Sequence, residues 1–411
     1  MVVVRFHLPL TMTNPFEALK QQNDAVVLGA ELAGSGVVPG WPMHAVFEFT
    51  GACNLHCFMC GFEMLRDELR EQGRTKFTMP VDMFRLIVKA AFPHIRTVNP
   101  TLGGEPFLVP YFDEFVHEVE KHGCKVEMYT NGMLMHGERL RALMPHLAHL
   151  TVSFDGATKA TFEHVRGGAD FDQILANVAE FAALRRELGL RRRVRFGFNV
   201  VIMRENLDEL ARIVEIAAAN DVDVVTGCFV IETSKTVAQS SPTKCPARTN
   251  AALAEARATA ARLGMRLEFP LDLPVEDGDA KASPSPPPPT EVSANASAAA
   301  TPPEELPPIS GNGPPPGYAG AYYCDMAWRK VFVGVNGEVM PCCSPTRPIL
   351  GNAFQQPFED IWNGAEYRRL REGLFSGQLT GYCRGCPYLQ QAGALPYDST
   401  PAGGASTSRS E

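Results

Sequence analysis

The sequence predicts an α/β fold: a barrel or partial barrel of βα repeats, followed by a smaller cysteine-bearing domain. Three observations carry this. Six short β-type runs alternate with amphipathic helical runs between about residues 43 and 270. A stretch rich in Pro, Ser and Ala then breaks the rhythm. Beyond it lies a shorter segment with its own group of cysteines. Strand–helix alternation builds parallel sheets, because a parallel connection needs a crossover that a helix fills. Six repeats favour a barrel or partial barrel over a doubly wound sheet, although pattern alone does not choose between them.

The β-type runs are 45–50, 96–101, 125–130, 149–155, 194–202 and 222–230, with helical patterns at 81–91, 111–121, 171–188 and 206–219. A further helix at 250–263 and a short strand at 265–269 follow. Residues 274–316 are too poor in large apolar side chains to bury a core, which predicts a disordered or extended linker. Residues 331–335 and 339 flank Asn336-Gly337, the signature of a β-hairpin turn, and 367–374 follow a helical pattern. The expected organisation is an N-terminal segment (1–42), a core (43–270), the linker (271–317), a C-terminal domain (318–390) and a polar tail (391–411).

Bulk properties narrow the function. The chain has 411 residues, 45% hydrophobic and 20% charged, with a formal net charge of −8. Nothing in that balance argues for nucleic acid or for an anionic membrane surface. No run is long and apolar enough to span a bilayer, and the N-terminal apolar stretch is broken by Arg5, His7 and Pro9. The expectation is a cytoplasmic protein. Eleven cysteines in such a chain read as metal ligands or catalytic groups before disulfides.

Seven of the eleven fall into two groups. The first is Cys53, Cys57 and Cys60, directly after the first strand and therefore at a strand's C-terminal end, where barrel chemistry sits. Three thiolates can hold three irons of a [4Fe–4S] cluster and leave one iron open to a small molecule. The bland alternative is a zinc site, for which His56 is the one local fourth ligand. The second group is Cys324, Cys342, Cys383 and Cys386, where the predicted hairpin would fold Cys342 back towards Cys324. Four cysteines suit either a fully ligated cluster or a structural zinc, and Cys343 is an alternative to Cys342. Cys228 falls near the end of the sixth strand, at the barrel mouth, where it is either a catalytic thiol or a small buried apolar residue. Cys124 and Cys245 receive no role.

The Cys-x3-Cys-x2-Cys spacing resembles that of the radical S-adenosylmethionine (SAM) superfamily. The family's aromatic residue before the third cysteine is Met59 here, with Phe58 one place earlier. The resemblance implies a partial (β/α)6 TIM-like barrel with a small C-terminal Fe–S domain of the SPASM or twitch type. The absence of cysteines after Cys386 implies a twitch-like tail with one auxiliary [4Fe–4S] cluster. In the family the open iron binds SAM, and reductive cleavage yields a 5′-deoxyadenosyl radical that takes a hydrogen atom from the substrate. The resemblance further implies that Gly103, Gly104, Glu105 and Pro106 hold the amino group of SAM. Ser153 and Asp155 would lie near ribose or substrate, Arg166 near the SAM carboxylate, and Asn199 with Val201 beside the adenine. Alone, Ser153 to Gly156 and Thr130-Asn131-Gly132 also read as ordinary strand-end turns.

Three functions follow as expectations. One is oxidation of a sugar-like or other small metabolite, or of a peptide side chain, with the auxiliary cluster accepting an electron. A second is a redox-neutral epimerase with Cys228 returning hydrogen. A third, of another class, is a non-catalytic Fe–S or zinc protein. An external donor such as flavodoxin or ferredoxin would reduce the first cluster. The segment before Met43 is short for a leader-binding module, which tilts the expectation towards a small molecule.

Overall fold

The computed structural model describes residues 14–71, 77–275, 314–344, 347–384, 386 and 389–391. Of the expected linker (271–317), residues 276–313 lie outside the described residues, as do residues 392–411 of the expected tail and residues 1–13. Contacts divide the chain into two compact units: one of Phe47–Arg85 and Thr97–Pro307, the other of Met1–Val46, Leu86–Arg96 and Pro308–Glu411.

The chain enters the first unit from strand β1 (His44–Phe47). Its sheet then runs through β2 (Thr97–Asn99), β3 (Lys125–Thr130), β4 (Leu147–Ser153), β5 (Arg195–Ile202), β6 (Val224–Phe229) and β7 (Arg266–Glu268), in that spatial order. From β2 onward every neighbouring pair is parallel. This is the expected βα succession, and the short run near 265–269 joins it as a further parallel strand. Helices α1 (Gly61–Glu71), α2 (Phe112–His122), α3 (Phe171–Glu187), α4 (Leu210–Ala219) and α5 (Pro246–Leu263) fill the crossovers. Helix α5 begins four residues earlier than its apolar pattern suggests, because Pro246 starts a first turn that has no use for its missing N–H.

One face of the sheet is packed: Leu150, Val152, Phe196, Phe198, Val200 and Ile202 are buried, and Phe154 stacks on Phe198 at 4.5 Å. The alternate residues are less buried, and in the parallel register they form rows. Ser153 lies opposite Asn199 and Asn199 opposite Thr226; Val201 lies opposite Cys228. These rows sit at the strands' C-terminal ends, on the face away from the packed core.

In the second unit, a helix at Glu17–Leu32 packs on the short helix Met326–Arg329. The fully buried Glu31 pairs with Arg329 at 2.7 Å, and the Trp328 indole N–H donates to the Ser35 carbonyl at 3.0 Å. Arg371 is also buried; it donates to the Ala327 and Gly36 carbonyls and lies 4.3 Å from the Trp362 ring. The N-terminal segment is thus built into the same unit as the C-terminal domain. The predicted hairpin forms as strands β8 (Lys330–Val333) and β9 (Glu338–Met340), with Gly337 at φ 88°, a conformation that favours glycine.

Candidate metal and cofactor site

The strand preceding the first cysteine group ends at Phe47 instead of continuing to residue 50, because the next residues are spent on loops. Phe49 donates to the Pro100 carbonyl, and the Thr50 and Thr78 hydroxyls meet at 3.1 Å. The cysteine loop is pinned at several points. His56 and Cys57 pair antiparallel with Gly167 and Arg166. Cys60 N–H closes a turn onto the Cys57 carbonyl, and α1 starts at the next residue. The Arg66 guanidinium reaches back to the Gly51 carbonyl at 2.9 Å. Cys53, Cys57 and Cys60 are free and partly exposed.

Burial pushes the Cys53 thiol up, and it pushes Cys57 up to about 11 despite the Arg166 charge. Bare, these sites hold protons that iron would displace. Two N–H donors face the sulfurs. Asn131 Nδ2 lies 3.7 Å from Cys53 Sγ, and Arg166 Nη1 lies 3.9 Å from Cys57 Sγ. Donors to thiolate sulfur are a recurring way of stabilising iron–sulfur centres. Loop, thiols and donors therefore fit a cluster held by three cysteines.

The Gly103–Pro106 segment lies against the cysteine loop. A Cβ on Gly104 would come within 2.1 Å of the Thr50 carbonyl oxygen, and one on Gly103 would strike the Phe62 ring. Glu105 N–H donates to the Ala52 carbonyl at 2.7 Å. The Glu105 carboxylate is buried and accepts from the Thr130 hydroxyl, the Asn131 N–H and the Phe107 N–H. Burial nonetheless pushes its carboxyl up to about 7. It braces the next strand's loop, and through Asn131 it reaches Cys53. Pro106 opens a single 3-10 turn.

Asp155 and Arg166, expected beside a ligand, are tied to each other and to the neighbouring loops. Asp155 is fully buried, pairs with Arg166 at 2.6 Å and accepts the Val201 N–H at 2.7 Å. Arg166 is divided between Asp155 and Cys57. Both brace the loop from within. Ser153 and Asn199 are half-buried on the open row, and the Asn199 side chain accepts from the Thr226 hydroxyl at 3.1 Å. Cys228 is exposed at its strand end; the surrounding walls first, and then the Asp155 charge, hold its thiol above the ordinary cysteine range.

One residue escaped the sequence reading. Glu48 is buried, and its carboxylate accepts the N–H groups of Leu102, Gly103 and Gly104 at 2.9, 2.9 and 3.1 Å. The available signal was an acidic residue inside the apolar run Phe47-Glu48-Phe49.

In the second unit the thiols act on one another. Burial raises the Cys324 thiol most and the Asp325 charge next, with smaller contributions from Cys383 and Cys342. Burial pushes Cys342 up to about 11, with Cys343, Cys383 and Cys386 contributing. Cys342 thus lies within electrostatic reach of Cys324, Cys383 and Cys386, while Cys343 is also flanked by Lys330 and Arg347. Among the described residues no three Cys, His, Asp or Glu side chains meet tightly enough for a single metal ion. A cubane would give each thiolate its own iron, so its ligands would stand further apart than those of a single ion.

Comparison with known proteins agrees with this geometry. Residues 47–217 match the family model of the radical SAM superfamily, and residues 324–387 match SPASM, described as an iron–sulfur cluster-binding domain. The tungsten-containing aldehyde ferredoxin oxidoreductase cofactor-modifying protein of Pyrococcus furiosus is 31% identical over 40% of this chain and 46% of its own length. The antilisterial bacteriocin subtilosin biosynthesis protein AlbA of Bacillus subtilis is 31% identical over 33% of this chain and 29% of its own. The PqqA peptide cyclase of Rhodopseudomonas palustris is 31% identical over 45% of this chain and 46% of its own. The chain thus spans less than half the length of these relatives. Among solved structures, Streptococcus suis SuiB bound to SAM superposes with a TM-score of 0.54 at 16% identity, covering 88% of this chain and 74% of that one. Native anSMEcpe with bound AdoMet gives 0.52 at 15%, covering 84% of this chain and 87% of that one. These last two likenesses are of fold.

Proposed function

This chain belongs to the radical SAM superfamily and carries a SPASM iron–sulfur domain, and from that premise we propose that it is an enzyme that modifies a peptide. The cofactors are SAM, a [4Fe–4S] cluster in the barrel and an auxiliary iron–sulfur cluster in the tail. When bound, SAM and the first cluster supply a 5′-deoxyadenosyl radical able to take a hydrogen atom from carbon. The chain's own residues do the rest. Cys53, Cys57 and Cys60 hold the first cluster, and Asn131 and Arg166 donate to its thiolates. Gly103, Gly104, Glu105 and Pro106 form the ledge for SAM. Ser153, Asn199 and Thr226 line the open row that receives the adenosyl group and substrate. Cys324, Cys342, Cys383 and Cys386 would hold the auxiliary cluster, which would supply an acceptor for the electron of the substrate radical. A flavodoxin- or ferredoxin-type donor supplies the reducing electron.

The carrying observation is the trio of thiols with N–H donors aimed at two of them. The peptide substrate rests on the relatives: one is a peptide cyclase and another serves bacteriocin biosynthesis. None of the relatives reported above is named for acting on a sugar, so the sugar-like substrate expected from sequence has no support there. Among the described residues no helix is long and apolar enough to cross a membrane.

The test is anaerobic reconstitution with reductant, SAM and candidate peptides from neighbouring genes. The expected outcome is 5′-deoxyadenosine and a peptide lighter by about two mass units, one hydrogen going to the adenosyl carbon and one leaving as a proton with an electron. No deoxyadenosine from the wild type, or undiminished formation by the triple Cys53→Ala, Cys57→Ala, Cys60→Ala variant, overturns the reading.

Cys228 favours a second, redox-neutral outcome, since it places an exposed free thiol at the strand end, opposite Val201 on the open row. Product of unchanged mass, lost in Cys228→Ala while SAM cleavage persists, would select it.

A further inference from the structure

We propose that Glu48 is a positioning residue for SAM, holding the Leu102–Gly104 loop so that its carbonyl oxygens face the cofactor's ammonium group. This rests on the radical SAM reading of the site and extends it to a residue outside the family's sequence motif. The geometry is specific. One carboxylate receives three successive backbone N–H groups, Oε2 taking Leu102 and Gly103 and Oε1 taking Gly104. In a planar trans peptide the carbonyl points opposite to the N–H that follows it. With three N–H groups turned onto Glu48, the carbonyls of Thr101, Leu102 and Gly103 turn away from it; that of Gly103 accepts from the Arg66 guanidinium at 3.4 Å, which leaves those of Thr101 and Leu102 for a further cation. A loop that would otherwise present N–H donors, suited to an anion, thereby presents acceptors suited to a cation.

The loop has little other freedom. Gly104 lies flat on the backbone of Thr50 and Ala52, with no room for a Cβ. Glu105 N–H is tied to Ala52, and the Glu105 carboxylate to Thr130 and Asn131. Glu48 and Glu105 form a staircase in which each carboxylate grips the loop after the next strand. Its last step, Asn131, donates to Cys53 Sγ at 3.7 Å and to Asn54 Oδ1 at 2.9 Å. Release of the first step frees the ledge while leaving the cysteines on their own loop.

Two measurements test this on Glu48→Gln. In the iron-free protein, amide hydrogen exchange at Leu102–Gly104 should rise about tenfold while helix Phe112–His122 is unchanged, because the amide offers one acceptor oxygen where the carboxylate offered two. In the reconstituted enzyme without peptide, KM for SAM in deoxyadenosine formation should rise about tenfold, with kcat within about threefold and iron content unchanged. Glu48→Asp, which keeps both acceptor oxygens, should recover part of the KM and stands in if Glu48→Gln does not fold. Unchanged exchange overturns the proposal. So does unchanged KM, or a joint fall of kcat and iron. Wild-type protein that makes no deoxyadenosine would sink the radical reading alone, since the exchange experiment still judges the grip of Glu48.

Discussion

Gly104 shows how tightly a single residue constrains this site. Its missing side chain leaves the space taken by the Thr50 carbonyl, 2.1 Å from where a Cβ would stand. Backbone cannot rotate aside as a side chain can, so Gly104→Ala must lift the loop from the Ala52 carbonyl. We expect it to destabilise the protein by about 1–3 kcal/mol in denaturant titration and to weaken SAM binding by at least tenfold. A buried histidine sets a pH limit. His149 lies on β4, where burial first and then Arg195 bring its pKa down to about 4. It shares a 2.8 Å hydrogen bond with the Thr151 hydroxyl. The folded chain keeps this imidazole neutral, whereas the unfolded chain protonates it near pH 6.5. Its contribution is therefore complete above about pH 6.5 and is lost as pH falls towards 4. Thermal melting from pH 7 to 4.5 should show a fall in Tm that His149→Gln makes shallower.

At the scale of elements, the strand-end loops are laced by buried carboxylates, and the N-terminal helix is joined to the C-terminal domain by a buried ion pair. Glu31 lies at the end of the helix Glu17–Leu32, fully buried, and burial raises its carboxyl against the pull of Arg329. Removing one partner of such a pair strands the other charge. Arg329→Met should cost about 3–5 kcal/mol, and adding Glu31→Leu should restore much of it. Chemical denaturation of the single and double variants checks this; additive losses would show that the two side chains act independently. The local signals for these elements were uneven. The Asn336-Gly337 pair announced its hairpin, although the connection is longer than a two-residue turn: Val333 pairs with Val339, and Gly337 but not Asn336 takes positive φ. The first strand was expected to reach residue 50 but ends at Phe47. Its apolar alternation continues, yet Glu48 leaves the sheet pattern to bind a loop more than fifty residues away.

At the scale of the whole molecule, the prediction is a count of metal. Reconstituted wild type should carry about eight irons per chain, and the triple variant of Cys53, Cys57 and Cys60 about four, since each cubane holds four. About four irons with one zinc in the wild type would assign the tail site to zinc instead. The sequence by itself determined the parallel βα succession, the spacing of both cysteine groups and the chemistry those groups allow. All of these are written in residues close together along the chain, where period and spacing report local geometry directly. Only the tertiary structure decided that Asp155 and Arg166 brace each other, that Asn131 faces Cys53 and that Glu48 holds the glycine loop. It alone joined the N-terminal helix to the C-terminal domain through Glu31 and Arg329, 298 residues apart. A buried charge finds its partner through the packing of elements remote in sequence, and no pattern within either segment names the other.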